Sequence, residues 1–108
     1  MIIKGIGIDN ADIKRFKNKD KLAKRILSSS ELEEYYLRKD KASFLASRFA
    51  LKEAYYKASN DKSTSYDLIE VRKQDNGKPI LFVNNKEISA LISLTHDKIA
   101  SAIIIIYE

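Results

Sequence analysis

Between Phe44 and Ala58, apolar side chains at Phe44, Leu45, Phe49, Leu51 and Ala54 recur three and four residues apart, which predicts a helix with one buried face. Residues 19 to 27 place Leu22, Ala23, Ile26 and Leu27 on one side and Lys21, Lys24 and Arg25 on the other, an amphipathic helix with a basic outer surface. Ser30, with Glu33 three residues later, reads as a capping box opening a helix through about Lys39. The Lys39-Asp40-Lys41 break leads into the long helix, which is expected to end near Ser59-Asn60-Asp61.

Other stretches have the shorter period of strands. Ile2, Ile3, Ile6 and Ile8, with Gly5 and Gly7 between them, read as a buried strand whose backbone is closely approached by another element. Asp9 falls at its end, placed to face a site; alternatively Asp9 or Asp12 caps a short turn through Phe16. Residues 67 to 73 and 79 to 83 form a hairpin across Asp75-Asn76-Gly77-Lys78. Asn84-Asn85 turn again, a connector runs through Ala90, and Leu91 to Thr95 pairs with Ile99 to Tyr107 across His96-Asp97-Lys98. The expected fold class is α+β: an N-terminal strand and helices, then antiparallel strands, around one long core helix. At 108 residues the chain is expected to be a single domain.

Composition narrows the chemistry. There is no cysteine, hence neither a disulfide framework nor thiolate catalysis, and with no signal-peptide pattern and no apolar run of membrane length the expected location is cytoplasmic. One histidine excludes zinc sites built on several His or Cys. The net charge is +5, and residues 14 to 25 alone hold seven bases against one acid, so the positive charge is one patch facing an anionic partner. With six Tyr and four Phe, that charge also fits a nucleic-acid-binding module. Against this, the tyrosines fall mostly beside the apolar helix face, and Lys outnumbers Arg 15 to 5 while base readout favours Arg.

Glu53 and Lys57 lie four apart on the long helix, in the favourable order for a surface salt bridge. Their surroundings point to more than that. Arg48-Phe49-Ala50-Leu51-Lys52-Glu53-Ala54-Tyr55-Tyr56-Lys57-Ala58 resembles the R-F-A-x-K-E-A-x-x-K-A signature of the phosphopantetheinyl transferases, in particular their small bacterial holo-acyl-carrier-protein synthase group. Gly5-Ile6-Gly7-Ile8-Asp9, Asn76-Gly77-Lys78-Pro79 and Ser93-Leu94-Thr95-His96 resemble three further motifs of that family, in the family's order.

The resemblance implies an enzyme that moves the 4′-phosphopantetheine arm of coenzyme A onto a serine of an acidic acyl carrier protein. It implies Mg2+ held by Asp9 and Glu53, with Lys57 at the pyrophosphate and Glu53 or a metal-held water as base. Arg48, Lys52, Gly77, Lys78, Pro79, Thr95 and His96 are expected near coenzyme A, and Arg15, Lys21, Lys24 and Arg25 against the carrier protein. A homotrimer with sites between subunits follows from the same resemblance, and neither nucleic acid nor membrane is an expected partner. Ser59-Asn60-Asp61 departs from the family's Gly-rich turn, and Ser47 stands where glycine is usual. A catalytically silent carrier-binding protein of the same fold is the other alternative.

Overall fold

The computed structural model describes residues 1–108. Its elements run β1 (Ile3–Asp12), a 3-10 turn (Ile13–Phe16), α1 (Asp20–Ile26), α2 (Ser29–Leu37), α3 (Lys41–Ser59), a second 3-10 turn (Tyr66–Leu68), β2 (Ile69–Lys73), β3 (Pro79–Val83), β4 (Lys86–Ile88), β5 (Ala90–His96) and β6 (Ile99–Tyr107). Two antiparallel three-stranded sheets form, ordered β1-β6-β5 and β2-β3-β4. This is the expected α+β class. No helix is long and apolar enough to cross a membrane.

The first sheet carries α3, and small residues determine how closely. Gly5, Gly7, Asp9 and Ala11 share the helix-facing side of β1, opposite Ile106, Ile104, Ala102 and Ala100 of β6. A Cβ added at Gly5 would fall inside the carbonyl oxygen of Ala58, and one at Gly7 inside that of Ala54. The predicted close approach is therefore α3 itself, and it needs glycine. The buried isoleucines are a correction: Ile2, Ile3, Ile6 and Ile8 are all more than half exposed. Side chains alternate across a strand, so Ile6 and Ile8 cannot face the same way as Gly5 and Gly7, and the helix takes the glycine side.

Four other expectations shift. α3 is buried nearly all round, from Phe44 to Ala58, because α2 and both sheets surround it, so its apolar stripe understates its burial. The capping box forms two residues early: Ser28 Oγ accepts from the Glu31 N–H, and Glu31 Oε1 accepts from the Ser28 N–H at 3.0 Å. Ser28/Glu31 and Ser30/Glu33 have the same spacing, but only Glu31 meets a buried cation, Lys52. The connector before β5 is the short strand β4, and Asp12 precedes its turn without a side-chain cap.

Candidate active site

Lys57, in the last turn of α3, leaves its helical neighbour Glu53 and reaches across to β1. Its Nζ donates to Asp9 Oδ1 at 2.8 Å and to the Ile8 carbonyl at 3.1 Å. The surface salt bridge with Glu53 does not form. Glu53 Oε2 instead accepts a 2.7 Å hydrogen bond from the Tyr66 hydroxyl. The Asp9 hydrogen bond, with the charges of Asp9 and Glu53, raises the Lys57 pKa, so the ammonium is charged at neutral pH. Burial and the Glu53 hydrogen bond push the Tyr66 hydroxyl up to about 12, which keeps it a donor.

Glu53 and Lys57 open onto a cavity of about 550 Å3 whose far wall is Asn60, Asp61 and Lys62. Asn60, at φ 56°, terminates α3 in the left-handed conformation that glycine most often takes; asparagine tolerates it. Asp61 then gathers the Thr64 hydroxyl, the Ser63 N–H and hydroxyl and the Tyr55 hydroxyl, which hold its carboxyl far below the usual range. The Asp-x-Ser-Thr spacing was a readable turn signal that the motif comparison passes over. Tyr66 had no local signal, being thirteen residues from Glu53.

Arg48 belongs to a different place. Nine residues before Lys57, at 3.6 residues per turn, it lies on the opposite side of α3. It lines a second cavity, of about 330 Å3, together with Ser47, Gly77, Pro79, Leu94 and His96, and with Arg38 and Asp40, which the sequence reading missed. Arg48 is 8% exposed, its guanidinium stacks on Phe44, and its Nε is 3.5 Å from Glu31, too far for a hydrogen bond. Arg48 Nε, though ion-paired with Glu31, and Ser47 Oγ are thus buried polar groups without a hydrogen-bond partner at the edge of a cavity, an uncommon arrangement.

Three expected coenzyme A contacts lie outside that cavity. Lys52 is fully buried, its ammonium bonded to Glu31 at 2.8 Å, to the Tyr66 carbonyl at 2.9 Å and to the Ile69 carbonyl. Burial pulls its pKa down against the opposing pull of Glu31. It secures the interior rather than a substrate. Lys52→Ala is expected to destabilise the fold by about 3–5 kcal/mol, the cost of leaving a buried charge unpaired, read in a denaturant titration; an unchanged midpoint with impaired coenzyme A binding would return Lys52 to the substrate. Thr95 alternates with His96 on β5 and is exposed on the side away from the second cavity. Lys78 is exposed in the β2–β3 turn, its N–H bonded to Asn76 Oδ1. Arg15, Lys21, Lys24 and Arg25 are all exposed, Arg15 on the 3-10 turn and the other three on α1.

The chain is similar over nearly its whole length to known proteins. A holo-[acyl-carrier-protein] synthase of Bacillus subtilis is 38% identical over 99% of this chain and 97% of its own length. The crystal structure of the Thermotoga maritima holo-[acyl-carrier-protein] synthase superposes with a TM-score of 0.83 at 35% identity, over 99% of this chain and 65% of that one. A Bacillus anthracis holo-(acyl-carrier-protein) synthase in complex with CoA (3′,5′-ADP) superposes with a TM-score of 0.82 at 36% identity, over 98% and 97% of the two chains. The 4′-phosphopantetheinyl transferase superfamily pattern matches residues 5–106, from the glycines under α3 to the end of β6, and the chain belongs to that family.

Proposed function

We propose that this chain, as one catalytic domain over residues 1–108, transfers the 4′-phosphopantetheine arm of coenzyme A to a serine of an apo-acyl carrier protein, releasing adenosine 3′,5′-bisphosphate. The observation that carries the reading is that Glu53 and Lys57 line one cavity while the Lys57 ammonium is held by Asp9 at 2.8 Å. A serine attacking a phosphorus ringed by anionic oxygens needs positioning and charge neutralisation more than covalent help. The decisive experiment is incubation with coenzyme A, Mg2+ and apo-carrier protein, followed by mass spectrometry for the added arm. No mass increase would end the reading.

The donor set fits magnesium. Asp9 and Glu53 are hard oxygen ligands whose charges both act on the one ammonium, and two carboxylates leave coordination positions for water and phosphate oxygens, as Mg2+ prefers. Bound there, the cation supplies charge neutralisation at the pyrophosphate. Lys57 places its ammonium beside the same phosphates: two of its protons are held by Asp9 and Ile8, and the third remains for a substrate oxygen. Its half-exposed position lets it follow charge onto the leaving phosphate. The proton of the attacking serine passes to Glu53 or to a water.

The second cavity suits the other end of coenzyme A. Arg48 and His96, with the unpartnered Ser47 hydroxyl, present donors to a phosphate, and the Gly77–Pro79 turn forms a wall for the nucleoside. Lys78 lies in that same turn. The cavities open on opposite sides of α3, so a ligand anchored in both is shared between neighbouring copies of the chain. The outer face of the β1-β6-β5 sheet supplies a surface for that assembly, with Ile6, Ile8, Leu91 and Ile99 all over 40% exposed. Three copies meeting there form the trimer. Ile6→Asp/Ile8→Asp is expected to give monomers by light scattering and at least about a hundredfold less transfer, since completed sites vanish with the assembly; a fully active monomer would refute the shared site.

The basic surface of the 3-10 turn and α1 receives the acidic carrier protein. Such contacts mainly speed association and are screened by salt. Arg15→Glu/Arg25→Glu is expected to raise KM for carrier protein about tenfold or more, leave KM for coenzyme A unchanged and flatten the salt dependence of the rate. Loss of coenzyme A affinity instead would place the nucleotide on this patch; steep salt-dependent DNA binding by a wild type without transfer would favour the nucleic-acid reading. The reaction is placed in the cytoplasm, in keeping with the cysteine-free sequence.

A further inference from the structure

We propose that Tyr66 is a positioning residue for the reaction: its hydroxyl fixes the rotamer of Glu53 so that one carboxylate oxygen is held back and the other is presented to the cation. This rests on the reading of Glu53 as a metal ligand. Tyr66 Oη donates to Glu53 Oε2 at 2.7 Å, and no protein donor reaches Glu53 Oε1.

The phenol is itself immobilised on three sides. Its ring stacks on Phe49, with centroids 5.9 Å apart and planes 18° from parallel, and the ring of Tyr56 meets it edge-on at 5.2 Å. Its main chain is anchored from inside the protein, because the Lys52 ammonium accepts no other role than donating to the Tyr66 carbonyl, to Ile69 and to Glu31. Carboxylate, phenol and buried ammonium thus form a continuous relay of contacts from the core to the cavity. Tyr56 offers an internal contrast: its hydroxyl goes to the Thr64 carbonyl and braces the cavity's loop, not the carboxylate. Packing alone would be served equally by phenylalanine at position 66, and the hydroxyl adds only the bond to Glu53. Hydrogen-bonded partners of ligating carboxylates commonly change metal affinity or activity by about 10–100-fold.

The test uses Mn2+ as the probe, titrated into the protein and followed by electron paramagnetic resonance, beside steady-state transfer. Tyr66→Phe keeps the ring between Phe49 and Tyr56. It is expected to retain the wild-type melting temperature and the KM for coenzyme A, to weaken Mn2+ binding and to lower kcat, each by about tenfold or more. Tyr66→Ala is expected to lose stability as well. A Tyr66→Phe protein with Mn2+ affinity and kcat within twofold of wild type would overturn the proposal and reduce Tyr66 to packing. Glu53→Gln separates this from the underlying reading: if it too binds Mn2+ like wild type, Glu53 is not a ligand and both claims fall, whereas loss in Glu53→Gln with no change in Tyr66→Phe defeats the positioning role alone.

Discussion

Asp9→Ala and Glu53→Ala are each expected to lower the rate of transfer by at least about a hundredfold while the protein stays folded. Removing a single group that stabilises transition-state charge commonly costs about 10²–10³ in kcat, and Glu53 also lines the cavity. Asp9 is the acceptor that draws Lys57 off α3 and over β1, so its loss misplaces the ammonium together with the metal ligand. The folding cost is small. The Asp9–Lys57 contact is half-exposed on the lysine side, and such pairs contribute about 0–1 kcal/mol. The check is transfer measured across a magnesium titration beside a thermal melt. Near-normal magnesium-dependent turnover in either variant would take that residue out of the site, and a collapsed melt with normal turnover per folded molecule would make its role structural.

Gly7→Ala is expected to cost at least the upper end of the about 1–3 kcal/mol usual for an overpacked core. Its new methyl would meet the Ala54 carbonyl and lie 2.8 Å from the Ala58 nitrogen, and both are backbone, which has no rotamer to escape into. Only separation of β1 from α3 relieves the clash, and that separation also pulls Asp9 from Lys57. The variant should therefore show a lower denaturation midpoint and, in the folded fraction, lower turnover. Gly77→Ala is the control: open space surrounds that position, but its φ of +84° predicts a strain cost of about 1–2 kcal/mol without loss of the Asp9–Lys57 contact. Equal stability of Gly7→Ala and wild type would mean that β1 and α3 are not in this contact.

Much of the fold could be read from local pattern because local physics controls it. The three-and-four spacing before residue 59, Asn76-Gly77 between two β-rich runs and the pairing of residues 91–95 with 99–107 all produced the expected elements. Asp9, Glu53 and Lys57 were named from motifs, and the structure puts Glu53 and Lys57 on one cavity and joins Lys57 to Asp9 across some fifty residues of chain.

What the sequence left open was always a choice between equivalent local options. Period two assigns isoleucine and glycine to opposite faces of β1, but only the approach of α3, which tolerates no Cβ, decides which face is covered. Two serines stand three residues before two glutamates, and a buried cation selects Ser28 and Glu31. Lys52 and Lys57 look alike in the motif, yet five residues turn them to different sides of the helix. One is driven to three acceptors because an unpaired ammonium in the core is prohibitively costly, and the other stays in water where its charge can serve the chemistry.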